Sequence, residues 1–96
     1  MVVEFLTFNV PERELEAWLE IERRHWTRFL EHQTGFVRKQ MWRSQDEPTA
    51  VHAVIWWDSM EAWKAIPQAE LDRVVADMGI HERTATCAAF DVVGDD

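Results

Sequence analysis

The chain has 96 residues with six tryptophans, one cysteine, and 18 acidic against 10 basic side chains, a formal charge of −8. That length predicts one domain, residues 1–96, with a modest core of its own. The acidic balance argues against nucleic acid and anionic membrane surfaces, both of which draw on Lys and Arg.

Residues 2–9 are β-branched and aromatic, which predicts a strand. Pro11 suits the first position of a helix, and Glu12, Glu14 and Glu16 sit where a helix dipole favours acids. From Glu12 to about Gln33, the residues Leu15, Trp18, Leu19, Trp26, Phe29 and Leu30 keep the helical period. Gly35 is placed to end that helix in a left-handed cap. Phe36 to Arg43 predicts a second strand, Gln45 to Thr49 a turn, and Ala50 to Trp57 a third strand. Asp58-Ser59 with Glu61 resembles a capping box, opening a short helix through Trp63 and Ile66 that Pro67 interrupts. A further helical stretch carries Leu71, Val74, Val75 and Met78 on one face. Gly79 is placed to cap it, with Ile80 covering the cap. Thr84 to Val93 predicts the last strand, in which the apolar neighbours of Cys87 suggest a buried small hydrophobe. No apolar run is long enough to span a membrane. The N-terminus has neither the basic start nor the cleavage site of a secretory signal, so the cytoplasm is the expected location.

The order β-α-β-β-α-β predicts an α+β, ferredoxin-like fold: a four-stranded antiparallel sheet with helices on one face. The other face should then turn polar, and it does not. In the third strand the two alternating sets are Val51, Ala53, Ile55, Trp57 and His52, Val54, Trp56. In the last strand they are Thr84, Thr86, Ala88, Phe90 and Ala85, Cys87, Ala89. A bare apolar sheet face marks an interface, and a two-fold homodimer through that face is the simplest solution.

Glu22 is the sharpest anomaly. At 100° per residue it falls near the centre of the apolar stripe of the first helix. A carboxylate there must be paired or have a raised pKa. It is either an acid or base in a pocket between that helix and the sheet, or a structural carboxylate paired with Arg38 or Arg43 or accepting from a tryptophan N–H. His25, three residues on, is a candidate partner. Glu-x-x-His also matches half of a carboxylate-bridged metal site, but no second copy exists. His32 lies a further ~10 Å along the helix, so no metal site is expected. Trp26, Phe29, Trp42, Trp56 and Trp63 are either packing anchors or the walls of an aromatic ligand pocket. No glycine-rich phosphate loop, zinc spacing or nucleophile elbow occurs, and no cofactor is called for.

The element order, the Thr34-Gly35-Phe36 lead into the second strand and the Trp57-Asp58-Ser59-Met60-Glu61-Ala62-Trp63 lead into the second helix resemble the dimeric α+β barrel superfamily. More narrowly, they resemble its antibiotic-biosynthesis monooxygenase-like domains. Arg83 to Cys87 followed by Ala89 to Val93 is similar to the closing strand of a small subgroup of these. The resemblance covers nearly the whole chain and implies a homodimer with a pocket in each subunit. Relatives of this kind include cofactor-free oxygenases of polycyclic aromatics, haem-degrading enzymes and isomerases, so the fold does not choose the reaction. The haem-degrading relatives use an Asn on strand one, a Trp on helix two and a His soon after. Asn9, Trp63 and His81 depart from that placement, and the roles are not carried over. Two readings stand. One is a cofactor-free, monooxygenase-like enzyme acting on a small aromatic or apolar molecule, with Glu22 as acid or base. The other is a ligand-binding or structural homodimer without turnover.

Overall fold

The computed structural model describes residues 1–96. Four strands, β1 (Val2–Asn9), β2 (Phe36–Arg43), β3 (Ala50–Trp57) and β4 (Thr86–Asp91), form one antiparallel sheet in the order β2-β3-β1-β4. Between β1 and β2 runs a helical arm of a 3₁₀ turn (Glu12–Glu14), α1 (Leu15–Glu22), a π-type turn (Arg23–Thr27) and α2 (Arg28–Glu31). Between β3 and β4 lie α3 (Met60–Lys64), α4 (Gln68–Met78) and a 3₁₀ turn (Gly79–His81). This is the ferredoxin-like α+β arrangement.

Alternation along the strands decides which side chains meet the helices. On β1 the inward row is Val2, Glu4, Leu6 and Phe8. Across from it on β3 stand Trp57, Ile55, Ala53 and Val51. Apart from Leu6, which is partly buried and packs against it, these apolar positions form the main core cluster with Val10, Trp18 and Leu30. Trp57 has no exposed surface and Trp18 only 3%. Truncating an aromatic in such a position costs about 3–5 kcal/mol. Each of these two indoles also satisfies its N–H. Trp18 Nε1 donates to the His81 carbonyl at 2.9 Å and Trp57 Nε1 to Glu4 Oε1 at 3.1 Å.

Two local devices fix how the layers meet. Gly35 has φ +84°, and a Cβ there would stand 2.4 Å from the Cβ of Ala62. Only glycine therefore lets α3 settle against the start of β2, where Asp58 N–H donates to the Gly35 carbonyl at 2.8 Å. Ser59 caps α3, its Oγ accepting from Ala62 N–H at 3.1 Å. A β-bulge between Phe36 and Arg38 shifts the register of β2 by one residue. A shift of one residue exchanges the two faces of a strand. Regular alternation from Phe36 would have sent Arg38, Gln40 and Trp42 inward. The bulge sends Lys39 and Met41 inward, opposite Ile55 and Ala53.

The molecule is a slab of 35 × 35 × 18 Å, and only 13 of its 96 residues are buried. Every residue of β4 is exposed, including Cys87, because no helix covers that edge of the sheet. Cys87 is therefore not the buried hydrophobe its neighbours suggest. Ile80 does not cover the Gly79 cap either: it is 95% exposed and projects from the 3₁₀ turn. No helix is long and apolar enough to cross a membrane.

Candidate functional site: a cavity between the helices and the sheet

A cavity of about 350 Å³ lies between the inward row of β1 and the helices. Glu4, Leu6 and Phe8 floor it, and Leu71 and Val75 of α4 close part of the opposite side. Eleven of its sixteen lining residues are apolar. A pocket of this size with a few polar groups in apolar walls is ligand-sized.

Of the residues singled out in the sequence, Glu22, Trp26 and Trp63 line this cavity, whereas His25, Phe29, Trp42 and Trp56 do not. Phe29 packs edge-on to Trp26 with ring centres 6.3 Å apart. Trp42 and Trp56 lie edge to face on the far side of the sheet, 6.4 Å apart, where the bulge in β2 and the parity of β3 put them. His25 is half-buried on the π-type turn. In that turn hydrogen bonds skip one residue further than in an α-helix, so each residue advances by less than 100°. His25 consequently swings off the stripe that Glu22 centres, while Trp26 stays over the cavity. No three His, Cys, Asp or Glu side chains meet in the geometry of a metal site.

Glu22 is 3% exposed and is paired with neither arginine. Lys39 Nζ donates to both its oxygens at 2.5 and 2.6 Å, and to Thr27 Oγ1 at 2.7 Å. The pair forms a wall, with Glu22 bordering the cavity on one side and a polar groove with Lys39 and Thr27 on the other. Burial holds the Lys39 pKa below the ordinary lysine value, and the Glu22 charge opposes that shift.

Three further charged residues of the lining, Glu4, Glu82 and Arg83, were not site candidates in the sequence. Glu4 stands in the middle of the sheet, opposite Ile55 and Ala89. Burial raises its pKa above the usual carboxylate value, against the Trp57 hydrogen bond and the Lys64 and Lys39 charges. Glu82 accepts from Trp26 Nε1 at 2.9 Å and so fixes that indole in the wall. Arg83 donates through Nη1 to the Asn9 carbonyl at 3.1 Å and through Nη2 to Glu14 Oε1 at 2.7 Å. Its Nε is the one buried side-chain polar atom without a partner. Glu4 had one legible signal, an acid in the otherwise apolar inward row Val2, Leu6, Phe8. Glu82 precedes β4 in irregular chain and had none, and Arg83 opens the run that is similar to the closing strand of the family, a resemblance that gave it no role.

Comparison with curated protein sequences finds no match. Among solved structures the fold is similar to SnoaB, a cofactor-independent oxygenase from Streptomyces nogalater, at 19% identity and TM-score 0.68 over 98% of this chain and 94% of that one. It is similar to the ActVA-Orf6 monooxygenase of Streptomyces coelicolor in complex with nanaomycin D, at 19% identity and TM-score 0.74 over 99% and 89%. It is also similar to the haem degrader MhuD from Mycobacterium tuberculosis, solved with two hemes in its active site, at 26% identity and TM-score 0.70 over 100% and 99%. Residues 1–71 match the family model described as antibiotic biosynthesis monooxygenase, and the chain belongs to that family.

Proposed function

We propose that the cavity binds a small, largely apolar aromatic molecule and that the protein oxygenates it without a cofactor. The observation that carries this reading is the cavity itself: about 350 Å³, apolar over most of its wall, with the indoles of Trp26 and Trp63 in its lining. The family supplies the reaction class. A haem is not the ligand proposed, because its iron is held by His, Cys, Met or Tyr and none of these lines the cavity. Glu22 is not proposed as a free acid or base, since Lys39 engages both its oxygens. Its role here is to close one wall with a neutralised charge.

Each indole N–H gives its own proton resonance, and there are six tryptophans. Titration with 2-naphthol and a hydroxyanthraquinone should shift the Trp26 and Trp63 signals and leave those of Trp42 and Trp56 in place. Oxygen uptake with the same compounds then separates turnover from binding. Shifts without uptake would favour the second reading, a ligand-binding protein without turnover, for which the closed Glu22–Lys39 pair already speaks. No shift at Trp26 or Trp63 would refute ligand binding in either form and favour a structural homodimer.

A homodimer through the open sheet face belongs to this proposal. A compact monomer of this mass exposes about 5,800 Å², whereas the chain exposes 6549 Å². The excess is about the size of one side of a standard protein interface. The open face carries Trp42 and Phe90, 45% and 55% exposed, around Phe5 at 6.2 and 5.9 Å.

A further inference from the structure

The cavity holds one carboxylate that the rest of the protein leaves half satisfied. Three acids line it, Glu4, Glu22 and Glu82. Glu22 is closed, because Lys39 engages both its oxygens. Glu82 lies in irregular chain near the exposed His81 and Thr84, at a rim where water competes with any ligand. Glu4 stands instead on an inner strand of the sheet, between Ile55 and Ala89. The N–H of the fully buried Trp57 occupies its Oε1 at 3.1 Å. Its Oε2 has no donor from the protein, yet the only buried side-chain polar atom without a partner is the Nε of Arg83. Glu4 Oε2 therefore keeps accessible surface. Leu6, next in the same inward row, and Ile55, across from Glu4 on β3, line the same cavity. The open side of the carboxylate thus borders the space a ligand would fill.

The surroundings of that oxygen define its partner. Burial raises the Glu4 pKa, the mark of a carboxylate short of solvation. A donor from the ligand would restore part of what burial removed. Lys64 and Lys39 act on Glu4 through space without bonding to it. Lys39 is bound to Glu22, and Lys64 lies over the Trp63 ring at 4.3 Å. Their charges favour the anionic form of Glu4 and would repel a cationic ligand group. An uncharged donor meets no such repulsion. Among the common uncharged groups on an aromatic ring, the phenolic hydroxyl is the strongest donor.

We propose that Glu4 orients the ligand, its free oxygen accepting a hydrogen bond from a hydroxyl on the aromatic ring. This rests on the reading of the cavity as an aromatic site and adds to it the residue that selects and turns the molecule. The ring lies against Leu6 and Ile55, with its hydroxyl toward the inner face of the sheet. Trp57 is outside the lining and acts through Glu4, its N–H holding the carboxylate in place.

The test compares 2-naphthol with 2-methoxynaphthalene, which has the same rings and no donor, at neutral pH. The wild-type protein should bind the naphthol about tenfold or more tightly, the worth of one hydrogen bond to a charged acceptor. In the indole N–H spectrum the Trp57 signal should move upfield with the naphthol and hold still with the ether, because a carboxylate shared with a second donor accepts less strongly from the first. Glu4→Gln should abolish the preference. There the buried Trp57 N–H holds the amide oxygen, and the amide NH2 takes the place of the free oxygen. That group donates to either probe and accepts from neither. Equal affinity of the wild-type protein for both probes would overturn the orientation and leave aromatic binding standing. A preference unchanged in Glu4→Gln would overturn the assignment and pass it to Glu82. A Trp57 signal that holds still with the naphthol bound would overturn it without recourse to any variant. Absence of binding by both probes would overturn the orientation together with the aromatic site on which it rests.

Discussion

Lys39→Met isolates the energetics of the one fully buried charge pair. The side chains of Lys39 and Glu22 are 3% and 4% exposed, and a single amine satisfies both carboxylate oxygens and Thr27 Oγ1. Removing the lysine leaves the carboxylate between an apolar cavity and the sheet, with only the Thr27 hydroxyl at 3.4 Å. Stripping one partner from a buried pair costs about 3–5 kcal/mol, out of a total stability of about 5–14 kcal/mol for a chain of this length. At a urea slope of about 2 kcal/mol per molar, a loss of 4 kcal/mol lowers the midpoint by about 2 M. The pair as a whole is a different matter. The downward pKa of Lys39 means that burial outweighs the attraction of Glu22 at the amine. Replacing both ends with apolar side chains should therefore cost nothing large. Glu22→Leu with Lys39→Met should unfold within about 1 kcal/mol of wild type or above it. Urea unfolding at one fixed protomer concentration checks both variants, since association would otherwise shift the midpoint. A loss under about 1 kcal/mol for Lys39→Met, or a double variant as unstable as the single one, would refute the reasoning.

Glu4 gives the stability a pH dependence of its own. Its folded-state pKa lies above the usual value of 4.5 through burial, with the Trp57 N–H, Lys64 and Lys39 facing it and opposing the rise. In the window just above 4.5 the folded chain therefore binds more protons than the unfolded one. Stability falls as pH rises through that window, and Glu4→Gln should flatten the fall in a series of unfolding curves. Gly35→Ala must place a methyl 2.4 Å from Ala62 Cβ at φ +84°. A loss of about 2–4 kcal/mol is expected from strain and overpacking, and Ala62→Gly should recover only the overpacking share. Phe90→Glu places a charge on the open sheet face beside Phe5. Light scattering after gel filtration should show half the mass of the wild-type assembly, and an unchanged mass would remove the sheet face as the interface.

Much of the fold was legible because its signals are local and agree with one another. The strand and helix order follows from period and punctuation, and Gly35 and Ser59 do at the layer junctions what glycine and serine do by nature. The site was legible only where a side chain's direction follows from its own element. Trp63 and Trp26 reach the cavity as their helical positions suggest. Trp42 does not, because one extra residue near Val37 exchanges the faces of β2. That same bulge supplies Lys39 to Glu22 in place of Arg38. Nothing in the sequence marks the bulge, since Val37 is an ordinary strand residue. His25 leaves the cavity for a parallel reason, the π-type turn that begins immediately after Glu22.

Both irregularities sit beside the same ion pair, and this bears on how the site is built. Glu22 is the last residue of α1 before the π-type turn, and Lys39 is the second residue after Val37 in β2. A regular helix and a regular strand would have left Glu22 facing the apolar sheet and Lys39 facing outward. The turn brings Thr27 within reach of the pair, and the bulge brings in the amine. Irregular turns and bulges of this kind concentrate at functional sites because they re-aim side chains at a cost the rest of the fold must carry. Here they close a wall of the cavity with a pair whose net charge is zero. Glu4 is thereby left as the carboxylate of the inner sheet face without a cation bonded to it. The two acids differ accordingly: Glu22 borders the cavity as half of a closed pair with Lys39, and Glu4 borders it bonded only to the Trp57 N–H.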